Sequence, residues 1–182
     1  MRADARRNRA RILEVAFAAF AADGLAVPVH EIARRAGVGT GTVSRHFPTK
    51  ESLFEAIIQN RVSHILGQAR VLAEQRAGDP GAAFRSFFLD MVTELAVDRG
   101  LADALTGAGV DLAAATASAG QEITAMLGMM LGRAQQAGAV RGDVEAADVK
   151  ALMMGCLGDD GEPSDAALRR RVDVIYAGLR AR

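Results

Sequence analysis

Apolar residues recur along most of the chain at the three- and four-residue spacing that places them on one face of an α-helix. Within residues 6–23 this spacing puts Ile12, Ala16 and Phe20 on a common face. Gly24 follows as a C-terminal stop, because glycine readily adopts the left-handed conformation that ends many helices. The pattern therefore predicts a first amphipathic helix that ends before Gly24.

The same periodicity continues to the C-terminus and predicts further helices. A long apolar stripe follows Thr49, which is a suitable N-terminal cap. The pair Arg99-Gly100 is expected to separate two of the later helices. No alternation of β-branched residues is long enough to indicate a strand. The predicted fold class is therefore all-α, with later helices at about 28–36, 40–46, 50–77, 82–97, 101–112, 114–137, 145–157 and 164–180.

Residues 29–47 have the spacing of two short helices joined by a glycine turn, which is typical of a helix-turn-helix. Ala33 is small enough for the second helix to cross over it, and Gly37 stands where the turn needs a positive φ. Val43 would seal the two helices together. The outward residues of the second helix are small, polar or basic, as the major groove of DNA requires: Thr40, Gly41, Thr42, Ser44, Arg45 and His46.

The net charge of zero conceals a difference between the two ends of the chain. Residues 1–50 contain nine lysines and arginines against four acidic residues, whereas residues 51–182 contain 13 against 18. A basic N-terminal segment on an otherwise acidic chain favours a polyanionic partner. The alternative is an accidental imbalance of charge.

Composition narrows the class of protein further. Half of the residues are hydrophobic, which supplies a core, and no apolar run approaches the roughly 20 residues of a membrane span. The single Cys156 excludes an internal disulfide and a cysteine-rich metal site. No Ser-His-Asp set, paired carboxylates or phosphate-binding loop is apparent, so we expect no catalytic residues, metal or cofactor. We expect a cytoplasmic protein without a membrane partner.

The helix-turn-helix has distinctive flanking segments. The first helix, with Phe17, Phe20 and Gly24, is followed in order by Ile32–Val38, Thr42–Phe47, Pro48–Glu51 and Leu53-Phe54. With these elements, residues 6–58 resemble the DNA-binding domain of the TetR family of transcriptional regulators. The resemblance implies an all-helical homodimer, whose N-terminal three-helix helix-turn-helix domain binds a palindromic operator. It also implies a larger C-terminal helical domain for ligand binding and dimerisation. On this basis we expect the two domains at 1–50 and 51–182.

The resemblance also implies roles for single residues in DNA binding. Lys50 occupies a position that contacts a phosphate in the family. Ser44 replaces the usual tyrosine, so it can donate to a phosphate but cannot make the aromatic contact. A serine or threonine often caps the second helix, where this chain has Val27-Pro28-Val29. His30 would then reach the DNA backbone instead.

Some DNA contacts have two interpretations. Arg45 can contact a guanine or a phosphate. His46 is either a phosphate donor or a partly buried residue at the helix end. The N-terminal arginines form either a basic arm that reaches the DNA or a solvated terminus: Arg2, Arg6, Arg7, Arg9 and Arg11.

A small-molecule site is expected in the C-terminal helices. Methionine and phenylalanine cluster there, and flexible methionine side chains adapt to apolar ligands. The alternative is ordinary core packing. The candidate residues for binding a mainly apolar effector are Phe87, Phe88, Met91, Leu95, Met126, Met130 and Met153.

The last two predicted helices are the candidates for dimerisation, because the resemblance implies a four-helix interface built from this pair in each subunit. The final helix also has a more apolar face than a chain end needs unless something covers it. The candidate interface residues are Ala151, Met154, Leu168, Val172, Ile175, Tyr176 and Leu179.

Together these features predict a ligand-responsive transcriptional regulator, most directly a repressor that binds its operator as a homodimer. The expected partners are double-stranded operator DNA, an unidentified apolar small molecule and a second copy of the chain. One alternative is an activator with the same fold. Another is a helical small-molecule carrier or enzyme that shares only the N-terminal domain.

Overall fold

A computed structural model describes residues 2–107, 112–158 and 164–181 and shows an all-helical protein. This confirms the predicted fold class. None of the helices in these ranges is both long and apolar enough to cross a membrane. The described chain contains eight α-helices: α1 (Arg2–Asp23), α2 (Val29–Ala36), α3 (Thr40–His46), α4 (Lys50–Gln75), α5 (Pro80–Gly107), α6 (Leu112–Gln136), α7 (Ala146–Leu157) and α8 (Asp165–Leu179).

One predicted helix boundary is wrong. The pair Arg99-Gly100 does not end a helix, because α5 continues through it to Gly107. A glycine inside a helix costs only about 1 kcal/mol relative to alanine, so it is tolerated there. Gly24 does end a helix, because its backbone turns to a φ of 75°. The next break is expected at Gly107-Ala108-Gly109; α5 ends at Gly107, and the other two residues lie outside the described part of the chain.

The chain divides into two compact units. The first is Met1–Ser63 together with Asp98–Ala119, and the second is His64–Val97 together with Gly120–Arg182. The first half of α4 belongs to the first unit, since Leu53 is buried in its core. The compact units do not divide at residue 50. They describe packing rather than function, so the functional domains expected at 1–50 and 51–182 stay a prediction.

The core of the first unit holds its helices together. Ile12 and Phe20 of α1, Ile32 of α2 and Val43 of α3 are each at most 1% exposed. The ring of Phe20 also lies 4.9 Å from that of Phe54 on α4. Fully burying one such side chain is worth about 1.5–3 kcal/mol. A shared core of this kind fixes α3 against α1, α2 and the start of α4.

Phenylalanine side chains of α5 form the centre of the second unit. Phe84 and Phe88 are fully buried, with ring centroids 6.4 Å apart. The ring of Tyr176 on α8 lies 6.4 Å from that of Phe84, and its hydroxyl donates to the backbone oxygen of Gly81 at 2.9 Å. A Cβ on Gly81 would lie 2.6 Å from the Cβ of Ala139. Only glycine therefore fits at the start of α5 without moving its neighbours.

The end of the chain is fastened to the segment between α6 and α7. Val140 and Arg180 form an isolated antiparallel bridge. The N–H of Arg141 donates to the backbone oxygen of Leu179 at 2.9 Å. These bonds hold the C-terminal end of α8 within the second unit.

Candidate nucleic-acid interface

The helix α3 is anchored by its inner side, and its outer side faces solvent. Val43 is fully buried, and Phe47, which follows the helix, is 5% exposed. At the start of α3 the N–H of Thr42 donates to the backbone oxygen of Gly39 at 2.8 Å. Thr42 is half-buried, and His30 at the start of α2 is exposed. The other predicted outward residues are all exposed: Thr40, Gly41, Ser44, Arg45 and His46.

The turn between α2 and α3 has the geometry that the sequence predicted. Gly37 has φ 65° and ψ 34°, which is the left-handed region. Its N–H donates to the backbone oxygen of Arg34 at 3.1 Å, and the N–H of Val38 donates to that of Ala33 at 3.0 Å. A Cβ on Gly37 would lie 3.1 Å from Nη2 of Arg11, so the guanidinium of Arg11 lies against the turn.

Arg9 of α1 also belongs to this surface. Its guanidinium carbon lies 5.4 Å from the centroid of the Phe47 ring, within the range of a cation–π contact. The His46 ring lies 6.0 Å from the same phenylalanine. Two basic side chains therefore flank the end of α3. The row of N-terminal arginines signals such a surface, but its spacing does not identify which member reaches α3.

The remaining N-terminal arginines, Arg2, Arg6 and Arg7, are not among the residues described beside α3. The segment is helical from Arg2 onward, so it is part of α1. Arg7 pairs with Asp4 on the same helix. The side chains of Arg2 and Arg6 lie outside the described part of the chain.

Lys50 faces the protein in this structure. Its ammonium group donates to the backbone oxygen of Leu25, in the connection between α1 and α2. It also lies 5.7 Å from the centroid of the Phe20 ring. Both contacts tie the start of α4 to the end of α1. The phosphate contact expected of Lys50 stays a prediction.

An ion-pair network covers the exposed side of α2. Glu31 accepts hydrogen bonds from Arg34 and Arg35, each at 2.7 Å, and Arg35 also donates to Asp23 at 2.7 Å. The hydrogen bonds from Arg34 and then Arg35 lower the pKa of Glu31 to about 2. The two arginines of α2 are thus paired, whereas Arg45 forms no ion pair with any residue that the structure describes.

The candidate ligand-binding residues are mostly packed in the second unit. All but Leu95 are buried, and Leu95 is half-buried. Phe87 and Met91 border a space of only about 10 Å³, which is too small for an organic ligand. Asp90 borders the same space, where burial and then the charge of Glu94 raise its pKa.

A larger cleft of about 430 Å³ lies where α4 and α6 end and α5 begins. Met130 is the one predicted ligand residue that borders it. The sequence reasoning missed Arg76 and Arg133, which also border it. Their position late in two helices could have drawn attention to them, but helical periodicity does not show that the two ends meet.

Comparisons with known proteins assign the family. Residues 12–57 match the family described as bacterial regulatory proteins of the tetR family. Residues 79–181, more than half of the chain, match a second family, described as transcriptional regulator SbtR-like, C-terminal domain. The chain belongs to the TetR family of transcriptional regulators. The predicted resemblance is therefore confirmed and extends into the C-terminal helices.

Solved structures of TetR regulators are similar over the whole chain. A TetR transcription regulatory protein from Mycobacterium vanbaalenii is 50% identical, with a TM-score of 0.82 and 99% coverage of both chains. A TetR transcriptional regulator from Streptomyces coelicolor is 31% identical, with a TM-score of 0.81 over 95% of this chain and 98% of that one. Members of the family are transcription regulators, which are generally not enzymes.

A curated relative matches only in part. An HTH-type transcriptional regulator of Staphylococcus aureus (strain USA300) is 42% identical over 60 residues. The match covers 32% of this chain and 32% of that protein, so it spans about a third of the relative's length.

The candidate dimer residues of this TetR regulator divide into two groups. Ala151 and Met154 of α7 are exposed, and Ile175 of α8 is half-buried. The half-buried Tyr176 is engaged with α5, as described above. Three others are buried inside the subunit, because the face of α8 that carries them packs inward: Leu168, Val172 and Leu179. They are not exposed to a partner in the isolated subunit.

Proposed function

We propose that this TetR-family regulator is a repressor, which acts in the cytoplasm as a homodimer on a palindromic operator and is released by a small molecule. The observation that carries the proposal is the exposed polar face of α3, held by a buried inner face and flanked by Arg9 of α1. A bound dimer that covers a promoter excludes RNA polymerase. Repression by this mechanism requires contacts between the protein and DNA, and it requires no contact between the protein and RNA polymerase.

In the proposed complex α3 enters the major groove. Thr42 and Arg45 contact base edges, and Arg45 also lies within reach of the phosphates. Gly41 lets the helix backbone approach the DNA. Flanking side chains position the helix by contacts to phosphate: His30, Thr40, Ser44 and His46, together with Lys50 if its ammonium leaves Leu25.

Footprinting on the DNA upstream of the gene tests the operator. We expect two protected half-sites related by a dyad, with centres separated by about 34–36 Å or a multiple of it. A promoter fusion in a strain that lacks the gene tests the direction of regulation. Expression should rise in that strain, whereas a fall would identify an activator and contradict the proposal.

A substitution in α3 tests the recognition surface. Arg45→Ala should weaken operator binding by about 1–3 kcal/mol if the side chain contacts a base, and should relax the preference at one position in each half-site. Arg70→Ala, at an exposed position of α4, is the matched control and should leave binding unchanged. Equal affinity of the two variants for the operator would contradict the role of α3.

The exposed faces of α7 and α8 are the proposed dimer surface. Met154 is 52% exposed and Val174 is 74% exposed, although both are large apolar residues. Ala151 and Gly155 beside Met154 are also exposed and small, so a partner helix can approach closely. The buried candidate residues of α8 would then support this surface from within the subunit.

Charge placed on this surface should break the dimer. Val174→Asp should shift the protein from dimer to monomer in sedimentation velocity, because the carboxylate would be buried without a partner. Val71→Asp, at a 50% exposed position of α4, is the matched control and should remain dimeric. A dimeric Val174→Asp variant with unchanged helicity would contradict this surface.

A small molecule can release the dimer from its operator only if it binds the DNA-free protein more tightly than the DNA-bound protein. The proposed effector is mainly apolar, because the interior of the second unit is rich in phenylalanine and in methionine, whose flexible side chain can adjust to a ligand. In a thermal-shift screen an effector should raise the melting temperature and release operator DNA over the same concentration range. A compound that raises the melting temperature but leaves the complex intact would not be the effector.

A further inference from the structure

The cleft of about 430 Å³ is large enough for a small organic molecule, since ligand sites usually measure about 300–1,000 Å³. Its walls come from three helix ends of the second unit. Ala73 comes from the end of α4 and Ala77 from the turn after it, Pro80 comes from the start of α5, and Met130 comes from the last part of α6, with Ala137 in the turn after it.

The floor of this cleft is formed by buried apolar residues. Met130 is 2% exposed, Ala83 is 4% exposed and Ala73 is 6% exposed. Alanine at two of these positions leaves space that larger side chains would fill. Methionine is flexible enough to adjust to the shape of an apolar group. The floor therefore suits the hydrocarbon part of a ligand.

The polar part of the cleft is cationic. Arg76 and Arg133 border it together with the amide of Gln136, and no acidic residue is among the described residues that line it. Asp90 interacts electrostatically with Arg76, but the Asp90 carboxyl borders a different space, the small one beside Phe87 and Met91. The rim of the cleft therefore presents two positive charges and one amide to a bound ligand.

The guanidinium groups of Arg76 and Arg133 have no hydrogen bond or ion pair with another residue in the described ranges. Other arginines of the same unit are engaged: Arg85 pairs with Asp173, and Arg141 pairs with Asp143. A single arginine at a helix C-terminus is explained by the helix dipole. Two of them beside one apolar cleft also provide a site for an anion.

We propose that this cleft binds an amphipathic organic anion, whose carboxylate is held by Arg76 and Arg133 and whose hydrocarbon part lies over Met130. Guanidinium is the preferred side-chain partner of carboxylates, because it donates two parallel hydrogen bonds. The assignment deepens the proposed ligand response, and its meaning for regulation rests on that response. Its anionic group distinguishes this ligand from the mainly apolar effector expected from the sequence, in which no charged group is specified.

Isothermal titration calorimetry with decanoate tests the site on the full chain. We expect one decanoate per subunit and at least about tenfold weaker binding of 1-decanol, which has the same hydrocarbon chain without the charge. Arg76→Gln and Arg133→Gln should each weaken decanoate binding about tenfold and leave 1-decanol binding unchanged. Arg70→Gln, on the exposed side of α4, is the matched control and should bind decanoate like the wild type.

A second variant tests the apolar part of the cleft. Ala77→Phe, at an exposed position on its wall, should fill the cleft and weaken the binding of both decanoate and 1-decanol. Equal affinity for the two compounds, no binding of decanoate, or unchanged binding in the Arg76→Gln/Arg133→Gln double variant would overturn the proposal. Operator release is measured separately with the same decanoate titration, so a failed ligand response is distinguished from a failed site.

Discussion

Replacing Lys50 by methionine separates two roles that its ammonium group cannot fill at the same time. In the structure this group donates to the backbone oxygen of Leu25 and lies over the ring of Phe20. In the role implied by family resemblance it would point at a DNA phosphate. Methionine keeps most of the apolar stem and removes only the charge and the donor.

The expected loss of stability follows from the two interactions of the ammonium group. A hydrogen bond from a charged group contributes about 1.5–3 kcal/mol, and an exposed cation–π contact about 0.5–1 kcal/mol. The side chain is half-buried, so water partly replaces both interactions and the lower end applies. We expect Lys50→Met to lower the free energy of unfolding by about 1–2 kcal/mol. For a chain of this length that corresponds to a fall in Tm of about 3–6 °C.

Two measurements check this prediction. Urea unfolding followed by circular dichroism gives the free energy of unfolding. Operator affinity at several salt concentrations gives the slope of log K against log salt, whose magnitude falls by about 0.9 for each DNA phosphate that the protein no longer neutralises. We expect the stability of Lys50→Met to fall and the slope to stay at its wild-type value. Arg70→Met, at an exposed position of α4, is the control and should change neither quantity.

The opposite result would refute the reasoning. If stability is unchanged and the magnitude of the slope falls by about 0.9 for each subunit, Lys50 is a phosphate ligand and its bond to Leu25 contributes nothing measurable. A fall in both quantities would show that the side chain exchanges Leu25 for phosphate when DNA binds.

Three further predictions concern stability and reactivity. Gly81→Ala should destabilise the second unit by about 1–3 kcal/mol in urea unfolding, because the new methyl group would overlap that of Ala139; an unchanged midpoint would contradict this close packing. The pKa of Glu31 falls from 4.5 to about 2 on folding, so its contribution to stability is complete above pH 4.5 and is lost as the pH falls towards 2. The free energy of unfolding of Glu31→Gln should therefore depend less on pH in this window, and equal slopes would count against the pairing with Arg34. The Cys156 side chain is buried, and this burial also raises the pKa of its thiol, so a thiol reagent should label it only as fast as the protein opens; rapid labelling of the folded protein would disprove its inaccessibility.

The helix-turn-helix was predictable because single positions constrain it. Gly37 must adopt a positive φ, Ala33 must be small and Val43 must be buried, and all three conditions hold in the structure. Each constraint is local, so neighbouring residues in the sequence are sufficient to reveal it. The inward position of Lys50 could not be predicted in this way, because it depends on a backbone oxygen 25 residues earlier in the chain.

The C-terminal sites were less predictable, since apolar periodicity identifies a helix face but not what covers it. Val172 and Leu179 lie on the more apolar face of α8, and that face packs inside the subunit. The exposed Val174 points away from it. A cluster such as Phe87 and Met91 is likewise consistent with both a filled core and a ligand chamber, because the two require the same apolar side chains.

The shortness of α3 limits how much sequence information the protein can read directly. Seven residues at 1.5 Å each span about 10 Å, which is the length of about three base pairs. In the proposed homodimer a pair of such helices would read about six base pairs, which define only about 4,000 sequences. Among roughly 10⁶ competing sites, a given one of these recurs by chance about 250 times. This number already assumes a fixed distance between the two half-sites, so the selection of one promoter must also draw on the deformability of the DNA between them.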